Sequence, residues 1–241
     1  MGPDPSARCP AVEPLLKPLF FFDLDDTLVD HGAAEEGAHR ETHAAHGALF
    51  GGIAFSDWLA AYRRNNLRLW HEYGKGAIDR PTLTARRFAL PLADLGLDAA
   101  NGVAVGASYW DAYSRNWRLI EGAEDALEHA SQGGVVGILS NGFREAQLAK
   151  IARFGLGRWA RHVILSEDVG AMKPSRVIFD AAAKAAGGGE RRRLYVGDSF
   201  ATDVVGAKAA GWFPILFDRH GKGAPEPVVF VTRLSDLKPL L

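Results

Sequence analysis

Leu19-Phe20-Phe21-Phe22 is an unbroken apolar run that stops at an acidic cluster, Asp23-Leu24-Asp25-Asp26-Thr27. So short a run, with no polar alternation, suits a strand buried on both faces whose C-terminal end opens onto a crevice. Similar runs recur at Val135–Leu139, His162–Leu165, Leu194–Val196, Pro214–Phe217 and Val228–Val231. Helical patterns lie between them, over Glu124–Ser131, Phe143–Phe154, Arg176–Ala186 and Asp203–Ala210, several closed by glycine. Strands alternating with helices predict an α/β fold, a Rossmann-like parallel sheet flanked by helices.

Residues 30–116 break that rhythm. They hold no convincing strand, whereas Trp58, Leu59, Tyr62, Leu67 and Trp70 recur at helical spacing. Turn signals at Gly74-Lys75-Gly76 and Gly96 divide the segment into several helices, and no unit repeats at a fixed period. The reading is an all-helical cap over 30–116, inserted into a core made of 19–29 and 117–241. Residues 1–18, rich in proline and without a hydrophobic period, form a loose N-terminal tail.

Composition narrows the function classes. The formal net charge is -1 over 241 residues, without the basic excess that a nucleic-acid polymer demands of a partner. Cys9 is the only cysteine, so there is neither an intrachain disulfide nor a thiolate metal cluster, and a reducing cytoplasm fits. No stretch approaches the roughly 20 apolar residues needed to span a bilayer, and the Pro-Asp-Pro start is unlike an export signal. The expected location is cytoplasmic, with no membrane association; monomer and homodimer are both compatible with the chain. There is no Walker phosphate loop and no Gly-x-Ser-x-Gly elbow. His39, His43 and His46 share a helical face but lack a completing ligand, so they read as a solvated face rather than a metal site. Arg191-Arg192-Arg193 reads as a solvated turn.

Four constellations carry the chemistry. Asp23 and Asp25, at alternate positions beyond an extended segment, can point into one crevice, where one carboxylate attacks phosphorus and the other protonates the leaving oxygen. Ser140-Asn141-Gly142 follows the second core strand and precedes a helix, offering a hydroxyl, an amide and free N–H groups to phosphate. Lys173-Pro174 places an ammonium near the same group. Gly197-Asp198-Ser199, with Asp203 further on, supplies an oxygen ligand of the kind magnesium prefers, while Asp203 serves at least as readily as a helix cap.

Taken in order, these motifs resemble those of the haloacid dehalogenase superfamily over nearly the whole chain beyond the tail. The resemblance implies that Asp23 forms an aspartyl-phosphate and that Asp25 acts as general acid and then base. It places Mg²⁺ on Asp23, the Asp25 carbonyl and Asp198, and gives Ser140, Asn141, Gly142 and Lys173 to the phosphoryl oxygens. Thr27 and Asp203 stand behind them. Because Asp25 is present, a phosphatase is implied rather than a dehalogenase.

The stretch from Tyr62 to Trp70, followed by Tyr73, Gly76, Ile78, Leu83 and Arg86-Arg87-Phe88, is similar to the cap of the pyrimidine 5′-nucleotidase branch. Ser140-Asn141-Gly142-Phe143 with Gln147 fits the same branch. The implied substrate is a small phosphomonoester, specifically a nucleoside 5′-monophosphate, with Trp70 or Phe88 for base stacking and Asn66 or Arg87 for polar contacts. Of the two roles, helical spacing favours Trp70 as a core residue between cap helices. A sugar-phosphate or phosphoglycolate phosphatase, a phosphomutase on the same scaffold and a non-catalytic phosphate-binding module are the alternatives.

Overall fold

The computed structural model describes residues 16–241. Cys9 and most of the expected tail lie outside the described residues.

The chain opens with β1 (Leu19–Phe22) and runs directly into helices α1 (His31–Ala45), α2 (Gly47–Phe50), α3 (Phe55–Gly74), α4 (Arg80–Asp94) and α5 (Gly102–Arg115). It then alternates through α6 (Ala123–Gly133), β2 (Val135–Ser140), α7 (Arg144–Arg153), β3 (Ala160–Leu165), α8 (Ser166–Val169), α9 (Arg176–Ala185), β4 (Arg193–Gly197), α10 (Val205–Ala209), β5 (Phe213–Phe217) and β6 (Val229–Val231). The strands form one parallel sheet in the order β3-β2-β1-β4-β5-β6. The α/β fold with an all-helical insertion is therefore as the sequence predicts.

β1 is central, hydrogen-bonded to β2 on one side and β4 on the other, with Phe22 level with both Ile138 and Val196. Its side chains alternate between two cores. Phe20 and Phe22 pack with Leu127, Ile138, Ile151 and Val196 on one face. Leu19 and Phe21 pack with Phe179, Tyr195 and Trp212 on the other. This double burial is why the run carries no polar residue, and truncating one of these phenylalanines to alanine costs about 3–5 kcal/mol. The strand order reverses at β1 and β4, which opens a crevice at their C-terminal ends.

The insertion has its own core, in which Trp58, Tyr62, Phe88, Tyr109 and Tyr113 pack with Ala34 and Ala38. His39 belongs to this core. It is fully buried, its ring 3.9 Å from that of Tyr62 and 4.5 Å from that of Tyr109, and its Nδ1 accepts from Trp58 Nε1 at 3.2 Å. His43 stacks on Phe50, and His46 Nε2 meets Ser108 Oγ at 2.8 Å. The solvated face is thus corrected for His39, which aromatic residues of other helices bury, while His43 and His46 stay half-buried.

Two connections join the insertion to the core side by side. Val29 bridges Leu119, Ile120 N–H donates to Leu28 O at 2.9 Å, and Asp30 N–H donates to Arg118 O at 3.0 Å. No helix among the described residues is long and apolar enough to cross a membrane.

Candidate active site

Asp23 is the first residue beyond β1, and its N–H donates to Val196 O of β4 at 2.8 Å. Asp198 is the first residue beyond β4. Parallel register thus sets these two carboxylates side by side, and a carboxylate oxygen from each of Asp23, Asp198 and Asp203 falls within 4.8 Å of the others. Gly197 is required at the turn, since a Cβ there would collide with the Asp203 carboxylate.

Asp203 does not cap its helix. Ser199 takes that position, its hydroxyl accepting from Thr202 N–H at 3.3 Å at the start of a π-helical turn over Phe200–Val204. Asp203, 1% exposed, reaches back instead, accepting from Ser199 N–H at 2.9 Å and from Lys173 Nζ at 2.6 Å.

Lys173 is the cation of this cluster. Its buried ammonium lies 2.7 Å from Asp23 Oδ1 and donates to Tyr195 Oη at 2.9 Å, and that hydroxyl donates to Leu139 O at 3.0 Å. Burial opposes its charge, but Asp203 and Asp23 outweigh burial and hold its pKa above the usual range. Asp23 is pushed well above the usual carboxylate range by burial, and by Asp203 and Asp198, against the pull of Lys173. Burial and Asp203 likewise push Asp198 up to about 7. Three carboxylates facing one ammonium leave negative charge in excess, and the all-oxygen donor set suits a hard divalent cation such as Mg²⁺.

Asn141 lines the smaller of two nearby cavities and spends one amide N–H and its carbonyl oxygen on the backbone of Lys173. Its Oδ1 accepts from Lys173 N–H at 2.7 Å and its Nδ2 donates to Lys173 O at 3.0 Å, so it ties the loop after β2 to the loop that carries the lysine. Ser140 is 1% exposed, and its Oγ accepts from Gln147 Nε2 at 2.8 Å. Gly142 follows in the same loop, where a Cβ would strike the Gln147 amide. Thr27 lies fully buried behind β1, its hydroxyl without a partner among the described residues.

Sequence reasoning missed the partners of Asp25. Lys150 Nζ donates to Asp25 Oδ1 at 2.5 Å, and Gln147 Nε2 donates to Oδ2 at 2.8 Å. Both lie on one face of α7, three residues apart and both buried, and nothing in the sequence singles out that lysine. Burial opposes ionisation of Asp25, but Lys150, then His31, then the two hydrogen bonds, hold its carboxyl at about 2.

Two cavities lie near these strand ends. One, about 610 Å³, is lined by Asp26, Asp30, Asp198 and Arg219. The other, about 240 Å³, lies between insertion and core and is lined by Asp25, Asn66, Trp70, Arg87, Asn141, Gly142 and Gln147, among others. Trp70 lies 4.9 Å, ring to ring, from Phe143, the residue after Gly142. Phe88 is absent from the cavity wall. It is 2% exposed, packed against Tyr62, Tyr109 and Gly106, so its expected stacking role is corrected to one in the core of the insertion.

A family model described as haloacid dehalogenase-like hydrolase matches residues 17–211. The chain is 30% identical to the pyrimidine 5′-nucleotidase YjjG of Escherichia coli, over 92% of this chain and 96% of that protein. It is 33% identical to the glyceraldehyde 3-phosphate phosphatase of Pyrococcus abyssi, over 85% and 82% of the two chains. The HAD-hydrolase YfnB of Bacillus subtilis, solved bound to magnesium, superposes with a TM-score of 0.82 at 25% identity, covering 93% of this chain and 98% of that one. Sheet order, strand-end carboxylates and sequence coverage lead to one conclusion: the chain belongs to the haloacid dehalogenase-like hydrolases and is an enzyme of the phosphoric monoester hydrolase class.

Proposed function

We propose that this protein hydrolyses a nucleoside 5′-monophosphate through an aspartyl-phosphate on Asp23. The observation that carries the reading is the convergence of Asp23, Lys173, Asp198 and Asp203 at the ends of β1 and β4, with Asp25 on the adjoining wall. Asp23, Asp198 and the Asp25 carbonyl would hold Mg²⁺, with Asp203 behind them. When bound, the ion supplies the positive charge that lets the clustered carboxylates ionise together and stabilises charge on the phosphoryl oxygens.

The Asp23 carboxylate attacks phosphorus in line with the ester oxygen, and the P–O bond to the leaving group breaks as Asp25 delivers its proton to that oxygen. Lys150 favours the ionised form of Asp25, whereas an entering phosphoryl dianion opposes it, so substrate binding favours the protonated acid. In the second half Asp25, again a carboxylate, takes a proton from the water that attacks the aspartyl-phosphate, which releases phosphate and restores Asp23. Lys173, Ser140 and the N–H groups around Gly142 hold the phosphoryl oxygens. Asn141 acts through Lys173, which it fixes in place.

The nucleoside lies in the cavity between insertion and core, with Trp70 available as a stacking surface and Asn66 and Arg87 as polar contacts. Similarity to a pyrimidine 5′-nucleotidase over nearly the full length supports this choice. Similarity to a sugar-phosphate phosphatase supports the second reading, glyceraldehyde 3-phosphate or a related small ester. Phosphate release measured with Mg²⁺ across nucleoside monophosphates, sugar phosphates and 2-phosphoglycolate separates them. Nucleotides turned over best is the predicted result; efficient turnover of sugar phosphates with nucleotides ignored would sink the assignment.

A further inference from the structure

Arg87 is 4% exposed, yet among the described residues no carboxylate lies within 4.0 Å of its guanidinium. A buried guanidinium without a counter-ion is costly, because it stays charged whatever surrounds it. Here three aromatic rings offset part of that cost: the guanidinium carbon is 5.5 Å from the centroid of Tyr62, 5.7 Å from Tyr109 and 5.1 Å from Trp110. Its Nε donates to Tyr62 Oη at 2.6 Å. That bond fixes the plane of the fork, and no partner among the described residues takes its terminal nitrogens. Arg87 lines the cavity that also holds Asp25, as does Asn66, whose buried Oδ1 has no partner either.

We propose that Arg87 is the specificity-determining residue of this cavity and Tyr62 its positioning residue. Held by Tyr62, the guanidinium donates to an oxygen acceptor on the part of the substrate that leaves. The inference rests on the reading of this cavity as the leaving-group site. On the nucleotide reading the acceptor is an oxygen of the base. A phosphomonoester that lacks such an oxygen leaves Arg87 desolvated and unpaired, so discrimination comes from the unmet donor as much as from the bond formed. Tyr62 is fully buried in the core of the insertion, is not part of the cavity wall and hydrogen-bonds Arg87 there, so its hydroxyl acts on substrate through Arg87.

The test compares kcat/KM for uridine 5′-monophosphate, whose base carries two carbonyl oxygens, with that for ribose 5-phosphate, which carries the same phosphoryl group and sugar but no base. The ratio of the two should fall about 10- to 100-fold in Arg87→Met, the loss of a charged hydrogen bond, and about 3- to 10-fold in Tyr62→Phe, mainly through KM. Tyr62→Phe keeps the ring and its packing, so it decides the matter should Arg87→Met fail to fold. An unchanged ratio in Tyr62→Phe, or equal loss on both substrates, overturns the proposal. If the unmodified protein ignores nucleotides and turns over 2-phosphoglycolate instead, the nucleotide reading fails. The role of Arg87 is then judged by the same ratio with 2-phosphoglycolate, whose carboxylate offers the acceptor.

Discussion

Lys150 Nζ sits 2.5 Å from Asp25 Oδ1, joining residues 125 apart in the chain. The ammonium is almost completely enclosed, 5.2 Å from the ring of Tyr113 and 5.8 Å from that of Trp117, while about a quarter of the Asp25 side chain stays exposed. The pair therefore joins the first helix of the phosphate loop to the acid/base candidate, under a roof supplied by α5.

Lys150→Met should lower stability at pH 7 by about 1–3 kcal/mol, discounted from the full buried-pair value because Asp25 is partly exposed. The sign of the pH dependence follows from the direction of the shift. Asp25 is held at about 2, below its ordinary value, so the stabilisation is complete above about pH 4 and is lost as pH falls through 2. Urea titrations from pH 7 to pH 2 should show the wild-type advantage over the variant shrinking across that window.

Asp30 caps α1 through Ala33 N–H and takes Arg118 Nη2 and Arg219 Nη2, each at 2.9 Å, where the insertion joins the core. Against burial, the hydrogen bonds from Arg219 and then Arg118 hold its carboxyl at about 2. Asp30→Asn should cost about 1–2 kcal/mol at pH 7, allowing for the exposure of Arg118. The deficit should shrink as pH falls from about 4 towards 2, where roughly half of the wild-type carboxyl is protonated. Thermal unfolding at pH 7 and across that window checks this.

Gly142→Ala should damage catalysis more than folding. The new methyl displaces the Gln147 amide, which releases both Asp25 and Ser140 while leaving the sheet core untouched. A fall in kcat of about 10- to 100-fold with a melting temperature within a few degrees of wild type is expected. Steady-state kinetics beside a melting curve decides it.

Asn141→Ala should cut the tie between the loop after β2 and the loop that joins α8 to α9. It leaves the Lys173 N–H and carbonyl without their partner, at a cost of about 1–3 kcal/mol. Activity should also fall, because Lys173 is no longer fixed beside Asp23; isothermal urea unfolding and kcat on the same preparation check both.

Much of this was legible in the sequence because it depends on local rules. A strand buried on both faces shows as an unbroken apolar run, and in a parallel sheet the residue after each such run lies at the crevice. That rule puts Asp23 at the crevice and Asp198 one residue past it, and the ordered motifs at Ser140, Lys173 and Asp198 gave those carboxylates their chemistry. What could not be read depends on distant packing. His39 looked solvated because Trp58, Tyr62 and Tyr109, which bury it, lie on other helices. Arg87 and Phe88 are neighbours in sequence, yet one faces the cavity and the other the core of the insertion, a choice set by the rotation of α4. Asp203 was ambiguous until Ser199 took the cap, which freed it to meet Lys173. Lys150 carried no motif; only the fold brings it to Asp25.

The central claim is that Asp23 becomes phosphorylated. Quenching a reaction at steady state with borohydride reduces an aspartyl-phosphate to homoserine, which mass spectrometry of the peptide spanning β1 can locate. The account predicts homoserine at position 23, dependent on substrate and absent from Asp23→Asn, whose turnover should fall on the order of a thousandfold or more. A fully active Asp23→Asn variant, or a reduced residue elsewhere with position 23 intact, would contradict it.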